Sequence, residues 1–325
     1  MNRKNKREQE LRKKLKELQL HAARENVNIS DDILRLEQKL GQAGKNMPDV
    51  WTRVNLARHP ERPTTLDYAE RIFDHFIELH GDRGFADDHA MIGGLAMLND
   101  IPVTFIGHQR GRNLKENITR NFGQAHPEGY RKALRLAKEA ETFGRPIITF
   151  IDTQGAFCGT SAEERGIGEA IAKNLKELSV LKTPIICIVI GEGGSGGALG
   201  IGIGDKVYML ENSIYSVITP EGCASIILRD AGKAKQAANM LKLTSFDIFE
   251  LGVIDGVIPE PNGGAQNDKD YMARQVKEQI MDVLPKLMKM SNKKLLAERY
   301  KKFRTMGVFQ ENPRTLTKMT KHVLA

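Results

Sequence analysis

The sequence has little cysteine and no long apolar run. Its three cysteines, Cys158, Cys187 and Cys223, are odd in number and widely spaced, which excludes a disulfide framework, and no Cys-x-x-Cys pair suggests a structural zinc site. No apolar run approaches the roughly 20 residues that a membrane helix needs. The charged N-terminus also lacks the apolar segment of a signal peptide. We therefore expect a cytoplasmic protein with no metal in this chain and no membrane partner.

The composition is otherwise that of a folded globular protein. Of 325 residues, 40% are hydrophobic and 28% are charged, which excludes a collagen, a mucin or a largely disordered chain. The length allows two domains or one large domain.

The net charge of +8 is confined to the two ends of the chain. Residues 1–45 carry +5, residues 268–325 carry +8, and residues 46–267 carry −5. The pattern predicts a basic helical arm over 1–45, a core over 46–267 and a basic helical extension over 268–325. We interpret the ends as solvated helices that also meet partner proteins. Binding to nucleic acid or another polyanion is the alternative.

The hydrophobic pattern indicates an α/β protein. Residues 91–98 and 101–107 form a predicted hairpin about the Asn99-Asp100 turn. Two short apolar strands, 147–151 and 185–190, each run into a glycine turn and a helix, which is typical of strands covered on both faces. The other predicted elements are strands over 206–210, 214–217 and 253–258, and helices over 66–79, 127–143, 162–180, 220–228, 231–241, 245–251 and 268–305, the last interrupted at Pro285.

The glycine turn of residues 191–197 fits three patterns, of which the first is a dinucleotide fingerprint. Gly191, Gly193 and Gly196 have its spacing, and Glu211 lies where an acid that binds the ribose would be expected. The helix that follows is very short for a crossover helix, which counts against an enzyme that binds NAD.

The second pattern is a nucleophile elbow, with Ser195 between Gly193 and Gly197. A serine hydrolase then needs an acid and a histidine. Only His322 follows Ser195 in the sequence, and it lies in the basic tail, so this interpretation has little support.

The third pattern uses backbone groups alone. A strand that ends in glycines and opens a helix directs free N–H groups and the positive helix end at one point, as in an oxyanion site. Residues 152–160 form a second glycine turn after the neighbouring strand, so the N–H groups of both turns are expected to converge. The alternative is that Gly196, Gly200 and Gly204 serve close packing only.

Two further groups of polar residues are weaker candidates. Asp152 at a strand end is a candidate catalytic acid, with helix capping or loop bonding as the alternative. His108, Arg110, Arg112 and Lys115 form a candidate phosphate site, with a solvated loop as the alternative.

Together, these segments resemble the alpha subunit of the carboxyltransferase of bacterial acetyl-CoA carboxylase. The match runs from about residue 30 to about residue 320. The segments that carry it are residues 66–68, 81–83, 86–88, 107–112, 121–123, 127–135, 148–153, 162–166, 190–199 and 220–225.

One loop departs from the family pattern. The family loop after Asp152-Thr153 usually reads Pro-Gly-Ala-Tyr-Pro-Gly, whereas residues 154–159 here read Gln-Gly-Ala-Phe-Cys-Gly. Both prolines and the tyrosine hydroxyl are absent. Because proline restricts φ, we expect this loop to be more mobile than in the family, with an effect on its geometry and on the rate.

The resemblance implies a crotonase-like superhelix of stacked ββα units. It implies an α2β2 assembly with a beta subunit that bears the family's zinc ribbon, and an active site at the interface of the two subunits. Further partners are the biotin carboxyl carrier protein and biotin carboxylase. The implied reaction moves the carboxyl group of carboxybiotin, held on its carrier protein, to acetyl-CoA and gives malonyl-CoA for fatty acid synthesis.

The resemblance also indicates which groups act. The biotin and thioester anions of this reaction need N–H donors and no side-chain nucleophile, which suits a site built from glycines. The backbone N–H groups of Gly196 and Gly197 are the expected oxyanion hole for biotin. The expected substrate-binding residues are Gly155, Ala156, Gly159, Gly193, Gly194, Arg110 and Arg112.

Overall fold

The computed structural model describes residues 48–308, in which a mixed sheet is packed between helices. The strands are β1 (His75–Glu78), β2 (Met91–Leu98), β3 (Ile101–His108), β4 (Ile147–Thr153), β5 (Ile185–Gly194), β6 (Lys206–Leu210), β7 (Ile214–Ser216) and β8 (Gly256–Ile258). The α-helices are α1 (Val50–Ala57), α2 (Thr65–Ile72), α3 (Leu114–Thr119), α4 (Pro127–Thr142), α5 (Thr160–Glu164), α6 (Ile167–Val180), α7 (Ser195–Leu199), α8 (Pro220–Ile227), α9 (Ala234–Leu241), α10 (Ser245–Glu250), α11 (Lys269–Met288) and α12 (Asn292–Arg304). Single 3-10 turns lie at Asn121–Gly123, Ala231–Lys233 and Ala265–Asn267.

The order of the strands places the two glycine turns side by side. The sheet runs β1-β2-β3-β4-β5-β6-β8, and β7 pairs with the end of β5. The first three strands are antiparallel, and the pairs from β3 through β8 are parallel. Because β4 and β5 are parallel neighbours, their carboxyl ends lie at one edge of the sheet.

Alternate residues of the central strands pack against helices on opposite faces. In β5, Ile186 and Ile188 face a core that includes α2 and α11, whereas Cys187 and Val189 face a core that includes α4 and α6. Complete burial of one aliphatic side chain contributes roughly 1.5–3 kcal/mol. Burial on both faces explains why these strands are apolar at every position, and it confirms the prediction of covered parallel strands.

The predicted hairpin is confirmed, but the predicted helix over 66–79 is wrong in its second half. Leu98 pairs with Ile101 across the Asn99-Asp100 turn. The helix α2 ends at Ile72, and His75–Glu78 form β1, which pairs with β2. Residues 72–79 have apolar spacing that a helix or a strand can use, and pairing with β2 decides for the strand.

Two other predicted helices differ in their limits. The helix predicted over 162–180 is two helices, α5 and α6, separated where Gly166 has a φ of +77°. The very short helix expected after residues 191–197 is α7, which ends at Leu199. The strand β5 extends through the glycines to Gly194 because its end pairs with β7.

The C-terminal helices pack on the sheet. Met272, Val276 and Ile280 of α11 belong to the same core as β4 and β5. Contrary to the prediction, Pro285 does not interrupt α11, because the buried residues on either side of it, Leu284 and Leu287, hold the last turn against the core. The chain instead breaks before α12, which Ser291 caps.

The basic tail is partly neutralised inside this packing. Arg299 is buried and donates two hydrogen bonds to Asp205, and Lys302 pairs with Asp255. The predicted arm over 1–45 and residues 309–325 lie outside the described residues. The division of the chain at residues 45 and 267 stays a prediction. No helix within residues 48–308 is long and apolar enough to cross a bilayer.

Candidate active site

The two glycine turns meet at Gly197. A Cβ atom built on Gly197 would lie 2.5 Å from the backbone nitrogen of Ala156 and 2.6 Å from the carbonyl carbon of Gly155. A Cβ on Gly194 would collide with the backbone of Gln154. The convergence that the sequence predicts is therefore present, and glycine is required on the β5 side because only hydrogen atoms fit between the turns.

The helix α7 opens directly at this junction. Residues at the start of a helix have N–H groups with no partner within the helix. Within residues 48–308, neither the Gly196 N–H nor the Gly197 N–H donates a hydrogen bond to another element. Ser195, the first residue of α7, has a φ of +49°, which a residue with a Cβ rarely adopts. The strained strand-to-helix junction therefore leaves two N–H groups without a partner in another element, one on the partly exposed Gly196 and one on the buried Gly197.

The structure does not assemble the two side-chain alternatives. Among the described residues no hydrogen bond joins Ser195 to a histidine, and His322 lies outside them. Glu211 is buried, and its carboxylate accepts the N–H of Glu260 at 3.0 Å, so it is not presented to a ribose. With only five residues, α7 is not a crossover helix.

The glycine turn of residues 152–160, after β4, is the β4 turn, and that of residues 191–197, at the end of β5, is the β5 turn. Hydrogen bonds and an aromatic pair hold the β4 turn in place. The Thr153 hydroxyl accepts the Gly155 N–H at 3.1 Å. The N–H of Phe157 donates to Ala125 at 3.0 Å, and the ring of Phe157 lies 4.5 Å from that of His126. A Cβ on Gly159 would lie 2.5 Å from the Phe157 ring. Phe157 thus anchors the loop by packing, without a hydroxyl.

The side chains of Asp152 and Arg110 lie beside the junction of the two glycine turns and contact each other. The Asp152 carboxylate accepts the backbone N–H of Glu192 at 2.9 Å and pairs with Nε of Arg110 at 2.9 Å. Glu192 is also paired with Arg58 at 2.8 Å. Asp152 therefore caps no helix, and its carboxylate bonds to the backbone of β5 and to Arg110.

The predicted phosphate cluster is divided by the fold. His108 is fully buried beside Tyr130, and burial lowers its pKa to about 3, so it is neutral at physiological pH. Arg112 reaches Asp67 at 3.0 Å but keeps a side chain that is 54% exposed. Lys115 lies on α3, on the rim of a separate shallow recess. His108 therefore does not join these residues in binding a phosphate.

Two recesses adjoin the glycine turns. The larger, of about 420 Å³, is mostly apolar and begins at Ser195 and Gly196. Its walls include Leu199, Ile203, Val217 and Phe303. The smaller is lined by Arg58, Arg110, Arg112, Phe122 and, from the β4 turn, Gln154 among others. The two recesses differ in chemistry, one offering apolar walls and the other guanidinium groups.

Sequence reasoning missed two residues, Tyr130 and Asn174, whose side chains form hydrogen bonds that hold α7 in place. The Tyr130 hydroxyl donates to the carbonyl of Gly197 at 3.3 Å, and Asn174 donates to the carbonyls of Tyr130 and Gly200 at 3.0 and 2.9 Å. A Cβ on Gly200 would lie 2.6 Å from the Tyr130 ring. The recurrence of Gly196 and Gly200 indicated close packing here but not its partner.

Comparison with known proteins gives a consistent family. A family model described as acetyl co-enzyme A carboxylase carboxyltransferase-like matches residues 2–307. A protein of Treponema denticola named acetyl-coenzyme A carboxylase carboxyl transferase subunit alpha is 59% identical over 290 residues, which cover 89% of this chain and 95% of that protein. This chain belongs to the acetyl-CoA carboxylase carboxyltransferase family. A relative of the same name from a Geobacillus species is 54% identical over 303 residues, which cover 92% of this chain and 93% of that protein.

Solved structures show the fold that this carboxyltransferase shares. Transcarboxylase 12S, with methylmalonyl-coenzyme A and methylmalonic acid bound, has a TM-score of 0.56 and 21% identity over 72% of this chain and 44% of that one. A Pseudomonas malonate decarboxylase hetero-tetramer in complex with coenzyme A has a TM-score of 0.54 and 16% identity over 72% of this chain and 90% of that one. The predicted family, carboxyltransferase class and crotonase-like fold are confirmed.

Proposed function

We propose that this carboxyltransferase acts as the alpha subunit of acetyl-CoA carboxylase, which moves the carboxyl group of carboxybiotin to acetyl-CoA and gives malonyl-CoA. The observation that supports it best is the junction of the two glycine turns, where Gly197 contacts Gly155 and Ala156 and the N–H groups of Gly196 and Gly197 donate to no other element. Such a site stabilises anions without a nucleophile or a base from this chain.

Backbone groups have the principal roles in this proposal. The N–H groups of Gly196 and Gly197 bind the oxygen that becomes negative on the biotin ureido group. Gly155 and Ala156 form the opposite wall, and the other proposed lining residues of the substrate site are Gly159, Gly193, Gly194 and Arg112. Preorganised donors are effective here because they need no reorganisation as the charge develops.

The apolar recess beside Gly196 suits the biotin group. Its walls are mostly hydrocarbon, with polar groups from two serines, Tyr215 and the backbone, so they match the sulfur-containing ring and side chain of biotin while the N–H groups meet the ureido oxygen. Arg112 lines the other recess, and because its side chain is 54% exposed beside Asp67, we propose that it meets an anionic substrate group. Carboxybiotin, delivered by the carrier protein, supplies the carboxyl group.

The proposed setting is a cytoplasmic complex. We propose an α2β2 assembly in which the zinc-ribbon beta subunit supplies the remaining wall of the site, with biotin carboxyl carrier protein and biotin carboxylase as further partners. The exposed apolar side chains that line the larger recess, Leu199 and Val217 among them, are consistent with a surface that a partner covers.

The test is carboxyl transfer by the reassembled pair. The chain and its beta subunit are purified separately and together, and the reverse reaction is measured with malonyl-CoA and free biocytin. We expect turnover only in the pair. A pair that elutes as one complex but transfers no carboxyl group contradicts the proposed function.

A further inference from the structure

The Asp152 carboxylate links the ends of three strands. It is part of β4, its side chain is 2% exposed, and it accepts the N–H of Glu192 in β5 at 2.9 Å. A Cβ on Gly191 would collide with the carboxylate, so the two strands approach closely at this point. Its second oxygen pairs with Arg110, which follows the end of β3.

Arg110 fits against a turn of unfavourable backbone conformation. Asn121, Phe122 and Gly123 have consecutive φ values of +45°, +54° and +77°. A Cβ on Gly123 would lie 2.7 Å from Cγ of Arg110 and 3.1 Å from the carbonyl oxygen of Asp152. A left-handed conformation at two residues that carry a Cβ persists only where surrounding contacts impose it. The turn of residues 121–123 therefore packs against the Arg110 side chain and limits where it can lie.

The charged groups of this cluster are paired with one another within the protein. Arg110 lies 3.6 Å from Glu192 as well as pairing with Asp152, and Glu192 pairs with Arg58. Arg58 also pairs with Glu221. Since Arg110 is engaged by two carboxylates and its side chain is only 16% exposed, it is not a free cation for a substrate anion.

We propose that Asp152 and Arg110 are positioning residues that hold the β4 and β5 glycine turns at the separation needed for carboxyl transfer; this inference rests on the proposed function. Neither residue touches the reacting atoms. Asp152 fixes the backbone of β5 three residues before α7, and Arg110 fixes Asp152. Loss of either shifts the N–H groups of Gly196 and Gly197 relative to Gly155 and Ala156.

The experiment measures kcat and KM for malonyl-CoA and for biocytin, per assembled complex with the beta subunit, in Asp152→Asn and Arg110→Lys. Asn keeps the size of the side chain, and Lys keeps the charge but loses the geometry of the guanidinium. Arg145→Lys is the control. Arg145 is 13% exposed and contacts Glu139 and Thr104 at the opposite edge of the sheet, where β3 pairs with the start of β4.

We expect kcat to fall about 10- to 100-fold in both variants, with the KM for malonyl-CoA changed less than about 3-fold, because the lost contact acts on the transition state. The double variant should lose little more than either single variant, since the two residues act as a unit. Arg145→Lys should stay within about 2-fold of wild type in kcat.

Three results overturn the inference. One is unchanged kcat in assembled Asp152→Asn and Arg110→Lys complexes beside an active wild-type pair, which leaves the proposed function intact. Another is a raised KM for malonyl-CoA at constant kcat in Arg110→Lys, which makes Arg110 a substrate-binding residue. The third is fully additive losses in the double variant.

If Asp152→Asn does not assemble, two single variants decide by the same kcat and KM. These are Arg110→Lys and Gly123→Ala, of which the second displaces Arg110 without removing a charge. An inactive wild-type pair contradicts the proposed function itself and the inference with it.

Discussion

The two glycine turns differ in why they contain glycine. In the β5 turn, a Cβ at Gly191, Gly194 or Gly197 would collide with the β4 side of the junction. In the β4 turn, Gly155 has open space around its Cα, and glycine is required there by a φ of +156°. At the junction, the β5 glycines are therefore required by packing, whereas Gly155 is required by its backbone conformation.

This difference explains where the sequence departs from the family pattern that it resembles. The substituted positions Gln154, Phe157 and Cys158 all lie in the β4 turn. Phe157 keeps its position through the His126 ring, and Gln154 reaches Glu192 at 3.3 Å. Gln154 and Cys158 are exposed, so the β4 turn has room for other side chains there, whereas a Cβ at Gly191, Gly194 or Gly197 of the β5 turn would collide.

The largest effect is expected when the β5 turn receives a side chain at the junction. Gly197→Val places a Cβ 2.5 Å from the Ala156 nitrogen and pushes the two turns apart. Loss of one oxyanion donor costs roughly 100- to 1000-fold in kcat. We expect a loss of at least this size in a complex that still assembles, measured by biocytin carboxylation from malonyl-CoA. Full activity in the assembled variant contradicts the oxyanion assignment.

The buried histidine beside the junction should make the free energy of unfolding depend on pH. Burial lowers the pKa of His108, behind Gly197, to about 3. The unfolded chain therefore takes up a proton below about pH 6.5 that the folded chain does not, and stability falls as the pH drops from 6.5 towards 3. At pH 5 this amounts to about 2 kcal/mol. Urea unfolding at pH 7 and pH 5 should show a smaller pH difference in His108→Gln; equal differences count against a buried neutral imidazole.

A smaller effect is expected in the β4 turn. Gly155→Ala meets no atom but imposes a strained backbone, which costs of the order of 1–3 kcal/mol. We expect kcat to fall about 10-fold. Gly144→Ala is the matched control because Gly144 also has a positive φ, +66°, in open space at the other edge of the sheet. Both variants should lose stability in thermal unfolding, and only Gly155→Ala should lose rate.

The smallest effect is expected when the prolines of the family loop are introduced. Gln154→Pro with Cys158→Pro restricts the unfolded chain and removes the contact of Gln154 with Glu192. We expect kcat within about 3-fold of wild type and a midpoint of thermal unfolding that is equal or slightly higher. A change in kcat above about 10-fold would show that the β4 turn is as constrained as the β5 turn.

Much of this arrangement could be predicted because it follows from local pattern. The apolar runs of β4 and β5 indicated buried parallel strands, and parallel neighbours bring their ends to one edge. The glycines after them indicated a backbone site. Even the choice among three patterns for residues 191–197 could be narrowed, since only the third needed no distant partner.

The side-chain partners within the site could not be predicted, because they depend on contacts between residues far apart in the sequence. Nothing near Asp152 shows that Arg110 is its partner, and nothing near Gly197 identifies Tyr130. His108 looked like a member of a cationic cluster because its neighbours in the sequence are arginines, but β3 carries it into the core. Side-chain partners of this kind are set by the packing of the whole sheet.

The most direct test of the account is the kcat of Gly196→Ala in complex with the beta subunit. A Cβ on Gly196 meets only Ile171, at the ordinary distance of 3.7 Å, so the chain itself accommodates it, and alanine in a helix adds up to about 1 kcal/mol of stability. Gly168→Ala in α6, with no atom within 4 Å, is the control. The account predicts that both variants fold and assemble as wild type, that kcat falls at least about 30-fold in Gly196→Ala, and that Gly168→Ala is unchanged. A Gly196→Ala complex with wild-type kcat would contradict the claim that the anion is bound at the start of α7.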